Sequence, residues 1–143
     1  MNDFQLDERL QQDCIVIGKT ASGWLLLMDN ALLPWFILVP EVTETEFVDL
    51  SPPLRTTLMD EVNAISRMIK GLDGVEKMNI GMIGNVVSQL HIHIIGRHEG
   101  DFCWPDVVWG RPEREPYTLQ ERDILLAQVE RILPGLLGYA INR

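Results

Sequence analysis

Hydrophobic and polar positions along this chain fall into short runs closed by turn-forming residues. Cys14-Ile15-Val16-Ile17 ends at Gly18, Gly23 to Met28 ends at Asp29-Asn30, and Trp35 to Val39 ends at Pro40. Runs this short, bounded by glycine, proline and asparagine, predict strands rather than helices. The second and third, joined by Asp29 to Pro34, predict an antiparallel pair. A different period begins at Ser51-Pro52. Leu54, Leu58, Val62, Ile65 and Ile69 follow at intervals of 4, 4, 3 and 4, one helical stripe ending near Gly71. Serine suits the cap of that helix, and proline its first position. Met78 to Ile83 predicts another strand, broken by Gly84-Asn85. A short leading helix is predicted over Leu6 to Asp13. A last helix is predicted from Thr118, where Glu121 completes a capping box, through Leu125, Val129 and Leu133 to Pro134-Gly135.

The strictest alternation lies in Gln89-Leu90-His91-Ile92-His93-Ile94-Ile95. In a strand this puts Gln89, His91 and His93 on one face and Leu90, Ile92 and Ile94 on the other. Imidazole can act as nucleophile, proton carrier or metal ligand, so a same-face pair on a rigid strand is a candidate site. Strands, a helix, more strands and a tail helix do not form a βαβ repeat. The expected class is therefore α+β with a mostly antiparallel sheet.

Composition narrows the function classes. At 143 residues a single domain over 1–143 is expected. The net charge of −9 argues against nucleic-acid and anionic-membrane partners, though a nucleotide substrate stays open because a pocket's field can differ from the total. Cys14 and Cys103 form no CxxC pair and are too few for a disulfide scaffold. The stretch MNDFQLDERLQQD has no signal-like apolar core, and no apolar run approaches a membrane span. A cytoplasmic location follows as an expectation.

With these elements in order, the chain resembles the histidine triad (HIT) family of nucleotidyl hydrolases and transferases. The family pattern alternates three histidines with apolar residues; Gln89 stands at the first position, His91 and His93 at the second and third. The resemblance covers Gly23 to Arg97 and includes LLLMDN, PWFILVP, the SPP-led helix and NIGMIGNVVS. It is more specific to a bacterial branch with glutamine first and a trailing tryptophan-rich segment, here DFCWPDVVWG. The resemblance implies a five-stranded antiparallel sheet with a central and a C-terminal helix, paired as a homodimer. It implies metal-independent, cofactor-free attack by His91 on a nucleotide α-phosphate, giving a nucleotidyl-histidine that water hydrolyses. It further implies that a main-chain carbonyl near Gln89 holds the His91 ring. His93 and Gln89 then position the phosphoryl and leaving groups, and Asn85 adds a donor. Asp29 or Asn30 would bind ribose. Substrates of this class are nucleoside phosphoramidates and dinucleoside polyphosphates.

The residues also carry plainer readings. Arg97 lies on the histidine face by parity and suits either a phosphate or an ordinary salt bridge. Trp104 and Trp109 suit either closure over a base or partner subunit, or packing of their own loop. A metal site at the histidine pair would need a third ligand, for which Asp101, Cys103 or His98 could serve, at no familiar ligand spacing. Gln89, Trp35 and Val86 depart from the family pattern, which motivates an alternative: a nucleotide-binding or regulatory module with little catalysis.

Overall fold

The computed structural model describes residues 3–137. Five strands, β1 (Cys14–Lys19), β2 (Gly23–Met28), β3 (Trp35–Pro40), β4 (Lys77–Gly81) and β5 (Ile92–Arg97), form one sheet in the order β1-β2-β3-β5-β4. Every pairing is antiparallel. The helices are α1 (Glu8–Asp13), α2 (Pro52–Lys70) and α3 (Leu119–Leu137), with a short 3₁₀ turn at Phe47–Asp49. The α+β architecture expected from the element order is the one the chain adopts.

The sheet is covered on both faces, which explains why β2 and β3 read as continuous apolar runs rather than alternating ones. Leu25, Leu27, Phe36, Leu38, Ile92 and Ile94 point to one face and pack beneath α2 and α3. Leu26, Ile37 and Val39 point to the other and meet Leu10 of α1. Ile95 on that second face joins Leu33, Cys103 and Val108, the inner side of the tryptophan loop. The histidine face is thus roofed at one end by α1 and at the other by the tryptophan loop. The helical stripe of α2 is core: Leu58, Ile65 and Ile69 are fully buried.

Several boundaries differ from the sequence expectations. The leading helix starts at Glu8, capped by Asp7, whose carboxylate accepts from the Arg9 amide. Ser51 precedes α2 but its hydroxyl makes no capping bond. The histidine strand enters the ladder only at Ile92, because β4 ends at Gly81 opposite His93 and β3 pairs no further than Leu38 with Ile92. Gln89 to His91 therefore approach the sheet outside the ladder. Residues 82 and 83, assigned to β4 by periodicity, belong to the loop that peels away before Gly84. The capping box is present, with reciprocal Thr118 and Glu121 bonds of 3.0 and 3.1 Å. The last helix does not stop at Pro134 but continues to Leu137. Proline forfeits one helix bond, while Val129 and Leu133 hold the helix on the core. Residues 1–2 and 138–143, the outer ends of the domain expected over 1–143, lie outside the described residues.

Candidate active site

His91 and His93 share one face and lie ring to ring, with centroids 4.9 Å apart and planes at 66°. Their hydrogen bonds give them opposite tautomers. His91 Nδ1 is 2.6 Å from the Gln89 carbonyl. A carbonyl only accepts, so Nδ1 carries a proton, and in the neutral imidazole Nε2 then keeps a free lone pair. At His93 the polarity is reversed. The Trp35 indole N–H donates to His93 Nδ1 over 3.0 Å. An indole only donates, so the His93 proton sits on Nε2. Burial, and secondly the neighbouring His91, push the His93 pKa from 6.5 down to about 3. His93 is therefore a neutral donor. A protonated His93, one option for stabilising a phosphoryl group, does not fit this environment.

Trp35, marked in the sequence only as a departure from the family pattern, thus sets the tautomer of the third motif position. NMR of the imidazole nitrogens checks this. The His93 Nδ1 is expected to show the shift of an unprotonated, hydrogen-bonded nitrogen and no titration from pH 8 to pH 5. A midpoint near 6.5 would contradict the assignment.

These two histidines form part of the floor of a cavity of about 470 Å³. Arg9 and Leu10 of α1 wall one side; Trp109 and Gly110 wall another; the Gly84-Asn85-Val86 turn closes a third. Gly84 has φ 71°, which favours glycine. Trp109 stands edge-on to His93 with centroids 5.5 Å apart. It fits there because Gly81 has no side chain: a Cβ would lie 3.1 Å from its ring. A second cavity of about 190 Å³, lined by Phe47, Ser88 and Gln89, also reaches His91.

The structure brings together His91, His93 and Asn85, with Trp109 beside them, and leaves Gln89, Asp29, Asn30 and Arg97 outside the lining of the larger cavity. Gln89 has both ends of its amide occupied. Its Oε1 accepts from the Asp7 amide at 2.9 Å and its Nε2 donates to the Gln5 carbonyl at 2.8 Å. It ties the N-terminal segment to the motif instead of pointing at a phosphoryl group. Asp29 accepts from the Tyr117 amide. Asn30 is buried and accepts from the Leu32 and Glu115 amides. Both anchor the segment before α3, and neither lines the larger cavity.

Arg97 takes the salt-bridge reading. It is 1% exposed, and its guanidinium meets both Asp101 oxygens at 2.7 and 3.0 Å and Asn79 at 2.9 Å. Trp104 lies over this guanidinium at 5.6 Å, so the two tryptophans divide: Trp104 packs its loop and Trp109 faces the cavity. Asp101 is committed to Arg97 and to the His98 and Cys103 amides. Among the described residues, no group of three or more His, Cys, Asp or Glu side chains is placed to hold a metal ion.

The HIT domain family pattern matches residues 9–100, and the chain belongs to that family. It is 40% identical to a histidine triad protein of Sinorhizobium meliloti 1021, covering 93% of this chain and 99% of that one at a TM-score of 0.89. A histidine triad protein of Marinobacter aquaeolei VT8 is 38% identical, with coverage of 93% and 98% and a TM-score of 0.88. A curated relative, the asymmetrical bis(5'-nucleosyl)-tetraphosphatase of Schizosaccharomyces pombe, is 30% identical over 94 residues, 62% of this chain. The match spans 52% of that protein's length, so the chain corresponds to about half of it.

Proposed function

We propose that this protein is a nucleotidyl hydrolase or transferase acting at a nucleotide α-phosphate through a nucleotidyl-His91 intermediate. The observation that carries this reading is the lock on His91. Its Nδ1–H is held by a backbone carbonyl at 2.6 Å, so that in the neutral ring Nε2 is the nitrogen whose lone pair is available, in a cavity of nucleotide size. Nε2 attacks phosphorus, the bond to the leaving group breaks, and the electron pair departs with that group. Water then breaks the phosphorus–nitrogen bond and restores the imidazole. His93 Nε2–H and Asn85 are donors beside the position the phosphoryl oxygens would take.

The same geometry favours one kind of leaving group. Neutral His93 keeps only its Nε2–H, which hydrogen-bonds but is too weakly acidic to protonate a leaving group, and Gln89 does not titrate in the working range. A group that departs as a stable anion, such as a phosphate or polyphosphate, suits this site better than an amine. The name of the fission-yeast relative points the same way. A dinucleoside polyphosphate is therefore the substrate class we favour over a phosphoramidate. We also place with this reading a single domain over 1–143, a homodimer, a cytoplasmic setting and membership of the bacterial branch with glutamine first. Among the described residues, no helix is long and apolar enough to cross a membrane.

Turnover of a panel of adenosine and guanosine polyphosphates and phosphoramidates tests the proposal. Hydrolysis of at least one, fastest for polyphosphates, is the expected result. Binding of adenosine monophosphate without turnover of any member would favour the nucleotide-binding module.

A further inference from the structure

We propose that Arg9 binds the phosphates on the leaving-group side of the substrate and makes this site specific for polyphosphates. This rests on the hydrolase reading above. Arg9 is exposed at the rim of the larger cavity and is the sole lysine or arginine among its lining residues. Its guanidinium forms no ion pair with a described residue. Asp13 is the one carboxylate in the lining, and it is already paired with Arg114 at 3.3 Å. His93 is neutral. Arg9 is thus the unpaired fixed positive charge of this cavity, in a chain whose net charge is −9.

Its position matches the direction of the reaction. In an in-line displacement the leaving group departs on the side of phosphorus opposite the nucleophile. His91 is buried in the floor, so the leaving phosphates emerge toward the rim. Arg9 stands there, on a helix fixed from two sides. Leu10, the next residue, is buried against Leu26, Ile37 and Val39. Gln89 grips the chain immediately before the helix, at Gln5 and Asp7. The first motif position thus positions Arg9 through the backbone and contributes no proton. A planar guanidinium also suits two phosphate oxygens at once.

Calorimetry with adenosine monophosphate and α,β-methylene-ATP tests this on the intact protein, since the methylene bridge blocks cleavage. The wild type is expected to bind the triphosphate analogue about tenfold more tightly than the monophosphate, the gain of one charge-assisted contact. Arg9→Gln should abolish that advantage and leave monophosphate binding unchanged, and Arg9→Lys should retain part of it. The melting temperature of both variants should match the wild type, because the side chain is exposed. Equal loss for both ligands, no loss for either, or no preference in the wild type would overturn the proposal. Turnover is scored separately: a binding preference removed by Arg9→Gln, without hydrolysis, would uphold Arg9 and reject the hydrolase reading.

Discussion

Replacing His91 with glycine is expected to lower kcat by a factor of about 10⁴ or more while leaving nucleotide affinity within a few-fold of wild type. The asymmetry follows from where the residue acts. The Nε2 lone pair is used to form the bond to phosphorus, and no neighbour can supply a substitute. The second imidazole presents Nε2–H, because Trp35 has claimed its Nδ1. Gln89 faces the N-terminal segment. The nucleotide's contacts with the cavity walls remain, so binding survives. His93→Gln should cost less, since an amide can still donate to a phosphoryl oxygen. Steady-state kinetics with a dinucleoside polyphosphate distinguishes the two variants. Equal losses in both would remove the special role of His91.

The second large effect is on stability. Asp101→Ala is expected to cost about 3–5 kcal/mol, because it leaves the Arg97 guanidinium buried without its counter-charge. The side chains of the pair are 1% and 0% exposed, so water cannot take over. For a chain of this size the melting temperature should fall by about 10–17 °C. Asp101→Asn should also be costly: its Oδ1 can keep two of the four contacts, but its Nδ2 meets N–H donors and the counter-charge is lost. Burial pushes the Asp101 carboxyl up, but the bonds from Arg97 and from the His98 and Cys103 amides outweigh it and hold its pKa at about 2. The folded value lies below the unfolded one, so this contribution is complete above about pH 4 and fades as the pH falls toward 2. The same substitution should raise KM. Asp101 folds the start of the tryptophan loop back on the sheet, and Trp109 at its far end faces the cavity. Thermal melts from pH 7 to pH 3 check the stability claim; an unchanged melting temperature in Asp101→Ala would contradict it.

What the sequence displayed depended on how local each cause was. The alternation at 89–95 placed both histidines on one face because strand parity is a nearest-neighbour property. The carbonyl that holds His91 lies two residues back and came with the family resemblance. The helical stripe and the capping box at Thr118 were equally local. The contacts that alter the site's chemistry were not. Trp35 meets His93 across 58 positions, and Gln89 meets Asp7 across 82. Neither partner is marked by spacing or period, so Gln89 read as a phosphate ligand and Trp35 only as a departure from the family pattern. Parity put Arg97 on the correct face but could not choose its partner. The Asp101 carboxylate reaches it only because the chain turns after Arg97. Asp29 and Asn30 sat at the end of a strand, where the family suggested ribose; the segment before α3 occupies their hydrogen-bonding atoms instead. Arg9 carried no signal of its own, since its importance comes from lying over a sheet that is formed elsewhere in the chain.

The central claim is that His91 Nε2 forms a bond to phosphorus. Rapid mixing of the wild-type protein with a dinucleoside polyphosphate, quenching in alkali to preserve a phosphorus–nitrogen bond, and peptide mass spectrometry test it directly. The account predicts one nucleoside monophosphoryl group on the peptide containing His91, appearing and decaying within the time of a single turnover. A label on His93 or elsewhere, or full turnover by His91→Gly, would contradict it.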